Sequence, residues 1–285
     1  MEQVLPGQIV NLPVVAMDEL GAWLKAGHRE VLLPARFVPH ETEEGTELEV
    51  CLFHNEEGDL EVTRRLPHTP LGSVAFLTVR NVHNGAAYVN IGLPRDVIIP
   101  EREQVYALEP KDRSVVYIGY DSETGTLFGT TRLLHHLKTK NLPYEKGQEV
   151  EALVFDRADF GWRVVVNGRH CAIMFEKEIF HEVKRGKMFK AWVRDTEDGN
   201  LVVSLQRDGM EGLEDACRKI MAFLENHKGY MRMNDNTDPE EIKLRLRMSK
   251  KTFKRACGHL MRDGKVVITK RGVKLAKPQS PAPEA

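Results

Sequence analysis

The 285 residues carry 41 Lys or Arg against 42 Asp or Glu, 41% hydrophobic side chains and four cysteines. No run approaches the ~18 apolar residues of a membrane span, and the start "MEQVLPGQIV" lacks the basic and apolar regions of a signal peptide. Cys51, Cys171, Cys217 and Cys257 form neither a C-x-x-C nor a zinc-ribbon spacing, so composition points to a reduced, cytoplasmic protein of roughly two to four domains with no membrane association.

Read in chain order, the first 207 residues repeat. "GQIVNLPVV", "GSVAFLTVR" and "GQEVEALVF" begin at Gly7, Gly72 and Gly147. Each leads to a second glycine near an aromatic: Gly21 with Trp23, Gly85 with Tyr88, Gly161 between Phe160 and Trp162. A third glycine (Gly27, Gly92, Gly168) precedes a short apolar strand, "VLLP", "VIIP" or "AIMF". The turns "EEGDL", "ETGTL" and "EDGNL" then recur after 67 and 74 residues, each flanked by alternating segments and followed by an arginine (Arg65, Arg132, Arg207). Glycine at such a turn supplies the positive φ that a tight hairpin requires. A unit of about five short strands in about 70 residues closes most economically as an OB-type barrel. The segments predict barrels over 1–66, 67–141 and 142–208, with a short helix and linker within "RLLHHLKTKNLPY"; a single β-sandwich is the alternative.

After Arg207 the hydrophobic period changes from two to 3.6. Leu213, Ala216, Cys217, Ile220, Met221 and Leu224 make one stripe, with Gly229 as its stop. "TDPEE" predicts a second helix start, with Thr237 or Asp238 as cap and Glu240 or Glu241 closing a capping box. Ser249 caps a third helix whose buried stripe is Phe253, Ala256, Cys257, Leu260 and Met261. Stepping 100° per residue puts Lys251, Arg255 and Arg262 on the opposite side, flanked by Lys254 and following Lys250. Two short strands close the domain with Lys270, Arg271 and Gly272 at their tip. Three helices and a basic hairpin read as a winged helix over 209–277, leaving 278–285 as a disordered tail.

Charge follows this division. Residues 1–66 hold 5 basic and 13 acidic side chains, whereas residues 209–277 hold 17 and 9. Residues 249–275 alone hold nine Lys or Arg against Asp263. A solvated helix face would intersperse acidic partners at i+4, so the charge points to a nucleic-acid backbone. In the third unit, Phe160 and Trp162 supply flat surfaces for bases beside Arg157 and Arg163, which supply charge for phosphates. Residues two apart share a strand face, but a glycine between them disrupts this, leaving open whether one ring packs the barrel.

"GYDSETGTLFGTTR", "GLPRDVIIP" and above all "MSKKTFKRACGHLMRDGKVVI" resemble the CvfB-like family, conserved virulence factor B. The resemblance covers the chain to about Lys277. It implies a mostly β, multidomain architecture of three S1-type barrels and a C-terminal winged helix, single-stranded RNA as partner, and a role in post-transcriptional gene regulation in bacteria. On the S1 pattern it carries RNA contacts onto Phe160, Trp162, His170 and Arg207 of the third unit, the first unit keeping only Trp23. No P-loop, H-E-x-x-H or G-x-S-x-G occurs, and no cofactor or metal site is indicated, so a binding protein is expected rather than an enzyme. A DNA-binding transcription regulator and a ribosome-associated adaptor are the alternatives.

Overall fold

The computed structural model describes residues 4–55, 57–139, 142–180, 182–194, 199–207 and 209–276. In the first unit, β1 (Ile9–Asp18), β2 (Gly21–Ala26), β3 (Arg29–Pro34), β4 (Glu47–His54) and β5 (Leu60–Thr63) pair in the order β3-β2-β1-β4-β5. The second comprises β6 (Val74–His83), β7 (Ala86–Val89), β8 (Val97–Ile99), β9 (Arg113–Asp121) and β10 (Thr126–Thr130). It closes completely, with Phe128 of β10 parallel to Ile98 of β8. The third, β11 (Glu149–Ala158), β12 (Gly161–Val166), β13 (His170–Phe175), β14 (Met188–Val193) and β15 (Val203–Ser204), repeats the order of the first. Its ends meet through one bridge, Ile173 to Val202. Full closure needs a last strand that pairs on both sides, and β5 and β15 are shorter than β10. The mostly β, barrel-like architecture expected from the repeats is therefore present, with different degrees of closure.

Period-two burial drives each sheet to curl around its own core. Leu24, Leu33, Val50 and Leu52 are fully buried in the first, Val89, Ile99 and Ile118 in the second, and Ala152, Val154 and Met174 in the third. The first strand of every unit carries a bulge at one equivalent point, between Val14 and Ala16, Val79 and Asn81, and Val154 and Asp156. Such a bulge bends the strand so that it serves both sides of the barrel. The turn glycines Gly58, Gly125 and Gly199 have φ of 90°, 70° and 77°, as the hairpins demand.

Register corrects one part of the repeat. Gly21 and Gly161 open their strands opposite Asp18 and Ala158, but the matching residue opposite His83 is Ala86, not Gly85. Among its described residues, "RLLHHLKTKNLPY" also forms less helix than expected, residues 140 and 141 lying outside them. A single 3-10 turn spans Leu133–His135, because Leu133 and Leu137 are drawn into an apolar cluster with Val74, Val115, Phe155 and Val165 that joins the second and third units.

The C-terminal part comprises α1 (Gly209–Asn226), β16 (Tyr230–Met231), α2 (Pro239–Leu246), α3 (Lys250–Arg262), β17 (Val266–Thr269) and β18 (Gly272–Leu275), with strand order β16-β18-β17. Asp238 caps α2 by accepting from Glu240 N at 2.7 Å, and Ser249 caps α3 by accepting from Thr252 N at 3.0 Å. The first helix ends with Lys228 and Gly229 both at positive φ and Gly229 N donating to Leu224 O. Ile220, Leu224, Ile242, Phe253, Ala256 and Leu260 share one core. Met261, placed in the buried stripe by periodicity, is 51% exposed at the helix edge. Strand β16 carries no periodic signal in two residues; it forms because β18 offers it an edge. The tail from residue 277 onward lies outside the described residues.

Candidate nucleic-acid interface

The residues singled out in the third barrel fall into two places. At the β11–β12 hairpin, Phe160 is 40% exposed and its ring meets Phe175 edge-on at 6.2 Å. The Arg163 guanidinium lies 5.7 Å from the Phe160 ring, and that of Arg157 lies 5.0 Å from the Trp162 ring. Trp162 is partly buried and packs against the barrel core. Strand register explains this: Trp162 occupies the inward position that Ala22 and Ala87 fill in the other barrels.

Both arginines already hold carboxylates. Arg157 bonds Glu176 and Arg163 bonds Asp156, each at 2.7 Å. The Arg157–Glu176 pair is exposed, where an ion pair contributes little and a phosphate competes on nearly equal terms; the Arg163–Asp156 pair is about one-third exposed.

Arg207 belongs elsewhere. It bonds Glu149 and Glu211, each at 3.0 Å, and stacks 5.1 Å over Trp192. Glu149 opens β11 and the hairpin cluster ends it, so the strand's length separates the two sites. Hydrogen bonds from Lys190 and Arg207 hold the Glu149 carboxyl below its usual range. His170 joins neither cluster. It is hydrogen-bonded to the Tyr144 hydroxyl at 2.8 Å, and burial, then the charges of Lys138 and Arg169, lower its pKa.

Arg207 and Trp192 instead form one wall of a cleft of about 430 Å³ whose other wall is the winged helix. Lys251 and Arg255 of α3 and Lys219 of α1 face into it, together with Arg194 from the end of β14. Among the described residues, neither Lys251 nor Arg255 is in an ion pair. Trp192, Arg194 and Lys219 escaped the sequence reading. A signal existed for Trp192, an aromatic at an outward position of the alternating "MFKAWV", but its neighbour across the cleft is set by domain packing.

The remaining predicted cations lie outside the cleft. Lys250 is half-buried and donates to Thr237 O at 2.8 Å. Lys254 pairs with Asp235 at 3.4 Å, and Arg262 is exposed at the end of α3. Lys270 and Arg271 stand at the wing tip, where their carbonyls accept from Asn234 Nδ2 and the Tyr230 hydroxyl.

S1-type barrels in series with a basic winged helix define a nucleic-acid-binding class of protein. More particularly, residues 218–275 match the CvfB-like winged helix domain and residues 6–65 match the S1 domain. The chain is similar to conserved virulence factor B of Staphylococcus epidermidis, 27% identical over 291 residues that cover 95% of this chain and 97% of that protein. It is similar to the uncharacterized protein YitL of Bacillus subtilis, 24% identical over 276 residues covering 93% and 92%. Among solved structures, a multidomain protein with nucleic acid binding domains from Streptococcus pneumoniae covers 95% of this chain and 98% of its own, at 19% identity and a TM-score of 0.40.

The resemblance to the CvfB-like family is thus borne out, with one change of emphasis. The S1 match falls on the first barrel, although only the third looked close to the pattern. By strand register, Leu20, Gly21 and Trp23 of the first barrel occupy the positions of Phe160, Gly161 and Arg163 in the third.

Proposed function

We propose that this protein binds single-stranded RNA between its third barrel and its winged helix, and acts as a post-transcriptional regulator in the cytoplasm. The proposed division is three barrels over 1–66, 67–141 and 142–208 and a winged helix over 209–277. The observation that carries the reading is that Lys251 and Arg255 of α3, with Lys219 of α1, face Arg207 and the Trp192 ring across one cleft. Trp192 is partly buried, with Arg207 over its ring; positive charge around an accessible aromatic surface is what single-stranded nucleic acid requires, since phosphates are held by the one and bases stack on the other. The cleft also favours a single strand over duplex DNA. A recognition helix enters a major groove about 12 Å wide, whereas the amino-terminal half of α3 has the third barrel standing opposite it.

Affinities for an oligoribonucleotide and a DNA duplex, measured on the full chain at matched salt, test the reading. Tighter binding of the single strand is expected. Tighter binding of the duplex would transfer the function to transcription, and retention on nuclease-treated ribosomes would favour an adaptor.

A further inference from the structure

The hairpin cluster of the third barrel does not end at Arg163. Asp156 lies opposite Arg163 across β11 and β12; one carboxylate oxygen bonds Arg163 at 2.7 Å and the other lies 3.8 Å from Arg185. Arg185 in turn sets its guanidinium 5.6 Å from the ring of Tyr106, which belongs to the second barrel. Rings and guanidinium groups therefore run in series across the joint: Phe160, Arg163, Arg185, Tyr106.

Tyr106 borders a cavity of about 250 Å³ between the two barrels, whose apolar walls include Val115, Leu134 and Phe155. The ring is 40% exposed, and its hydroxyl is fixed by Ser114 Oγ at 3.1 Å. Val105 and Leu134 beside it are also exposed. The joint itself is well defined, because Val74 N donates to Gly168 O at 2.7 Å and Lys138 bridges to His170 across it. A fixed, partly uncovered ring at a largely apolar cavity, with Arg185 beside it and Arg163 beyond, has the composition of a stacking platform beside a phosphate track.

We propose that this cavity is a nucleobase subsite, in which one base of a single strand stacks on Tyr106 while its phosphates pass along Arg185 and Arg163. The proposal rests on the RNA-binding reading and extends it to the second barrel. Asp156 aligns the two arginines in the free protein; a phosphate between them competes with it for the same donors. The single strand thereby crosses from the hairpin of the third barrel onto the second.

The test uses the full-length chain and a short fluorescein-labelled oligouridylate. Tyr106→Ala is expected to weaken binding about 5- to 150-fold, the range for losing one stacked base, with the salt slope unchanged. Tyr106→Phe keeps the ring and is expected to bind as the native chain does. In the native chain, 4-thiouridine in the same oligonucleotide is expected to photocrosslink to the peptides bearing Tyr106 and Leu134. Native-like affinity of Tyr106→Ala, or crosslinks confined to the winged-helix cleft and the Phe160 hairpin, would overturn the subsite while leaving the RNA-binding reading intact. A native chain that binds no oligonucleotide would overturn both.

Discussion

Replacing Lys251 and Arg255 together by alanine is the sharpest probe of the cleft. Both side chains are exposed and outside the apolar stripe of α3, which is built from Phe253, Ala256, Cys257 and Leu260. Alanine is at least as good a helix former as either residue, so melting should change by no more than about 0.5 kcal/mol. Each phosphate contact on a single strand contributes about 0.7 to the log–log salt slope, so losing two should reduce it by about 1.4. Between 50 and 200 mM salt the gap between native and variant affinity should then narrow about sevenfold, from the same slope. Fluorescence anisotropy with one oligoribonucleotide across that salt series reads the effect. Base identity should matter little, because phosphate contacts position a strand without reading it. A slope equal to that of the native chain would refute the reasoning and leave the basic face of α3 as a solvated surface or a protein dock. Lys254→Ala should lower the slope by less, since Asp235 already partners that ammonium.

Phe160→Ala should weaken oligonucleotide binding by about 1–3 kcal/mol if one base stacks there, with the salt slope preserved; an equal loss in slope would mark an electrostatic disturbance instead. Gly161→Ala should lower stability by about 3 kcal/mol or more, since φ is +148° and a Cβ would lie 2.3 Å from Met174 O. Gly147→Ala, where φ is +85° and the space is open, should cost only about 1–2 kcal/mol, and thermal melts of the pair separate close approach from φ strain. Burial pushes the thiols of Cys51 and Cys171 up to about 11 and that of Cys257 to about 12. Iodoacetamide at pH 8 should therefore label half-buried Cys217 first, and mass spectrometry showing equal labelling of all four would contradict this. His136 and His170 have pKa values lowered chiefly by burial. Their unfolded forms bind more protons, so stability present above about pH 6.5 should decline as pH falls below it, as denaturant midpoints from pH 5 to 8 will show.

Local chemistry is what the sequence determined by itself. Strand alternation, the positive φ of Gly58 and Gly125, the caps Asp238 and Ser249, and the outward face of α3 each depend on residues a few positions apart. These interactions have the same form in any chain that contains the pattern, so they can be read without coordinates. The repeat anchors likewise give the barrels, because each five-stranded unit must bury its own alternating face. Three other features depended on contacts distant in the chain. That Trp162 packs against the barrel core follows from strand register, which a bulge between Val154 and Asp156 sets. Arg207 left the Phe160 cluster because it stands at the opposite end of β11, bound to Glu149, where Lys251 and Arg255 approach from another domain. The pairing of Tyr106 with Arg185 arises only where two barrels share an apolar joint. Sequence spacing fixes which face a side chain takes, but the side chain opposite it across a domain boundary is fixed by how the buried surfaces fit together.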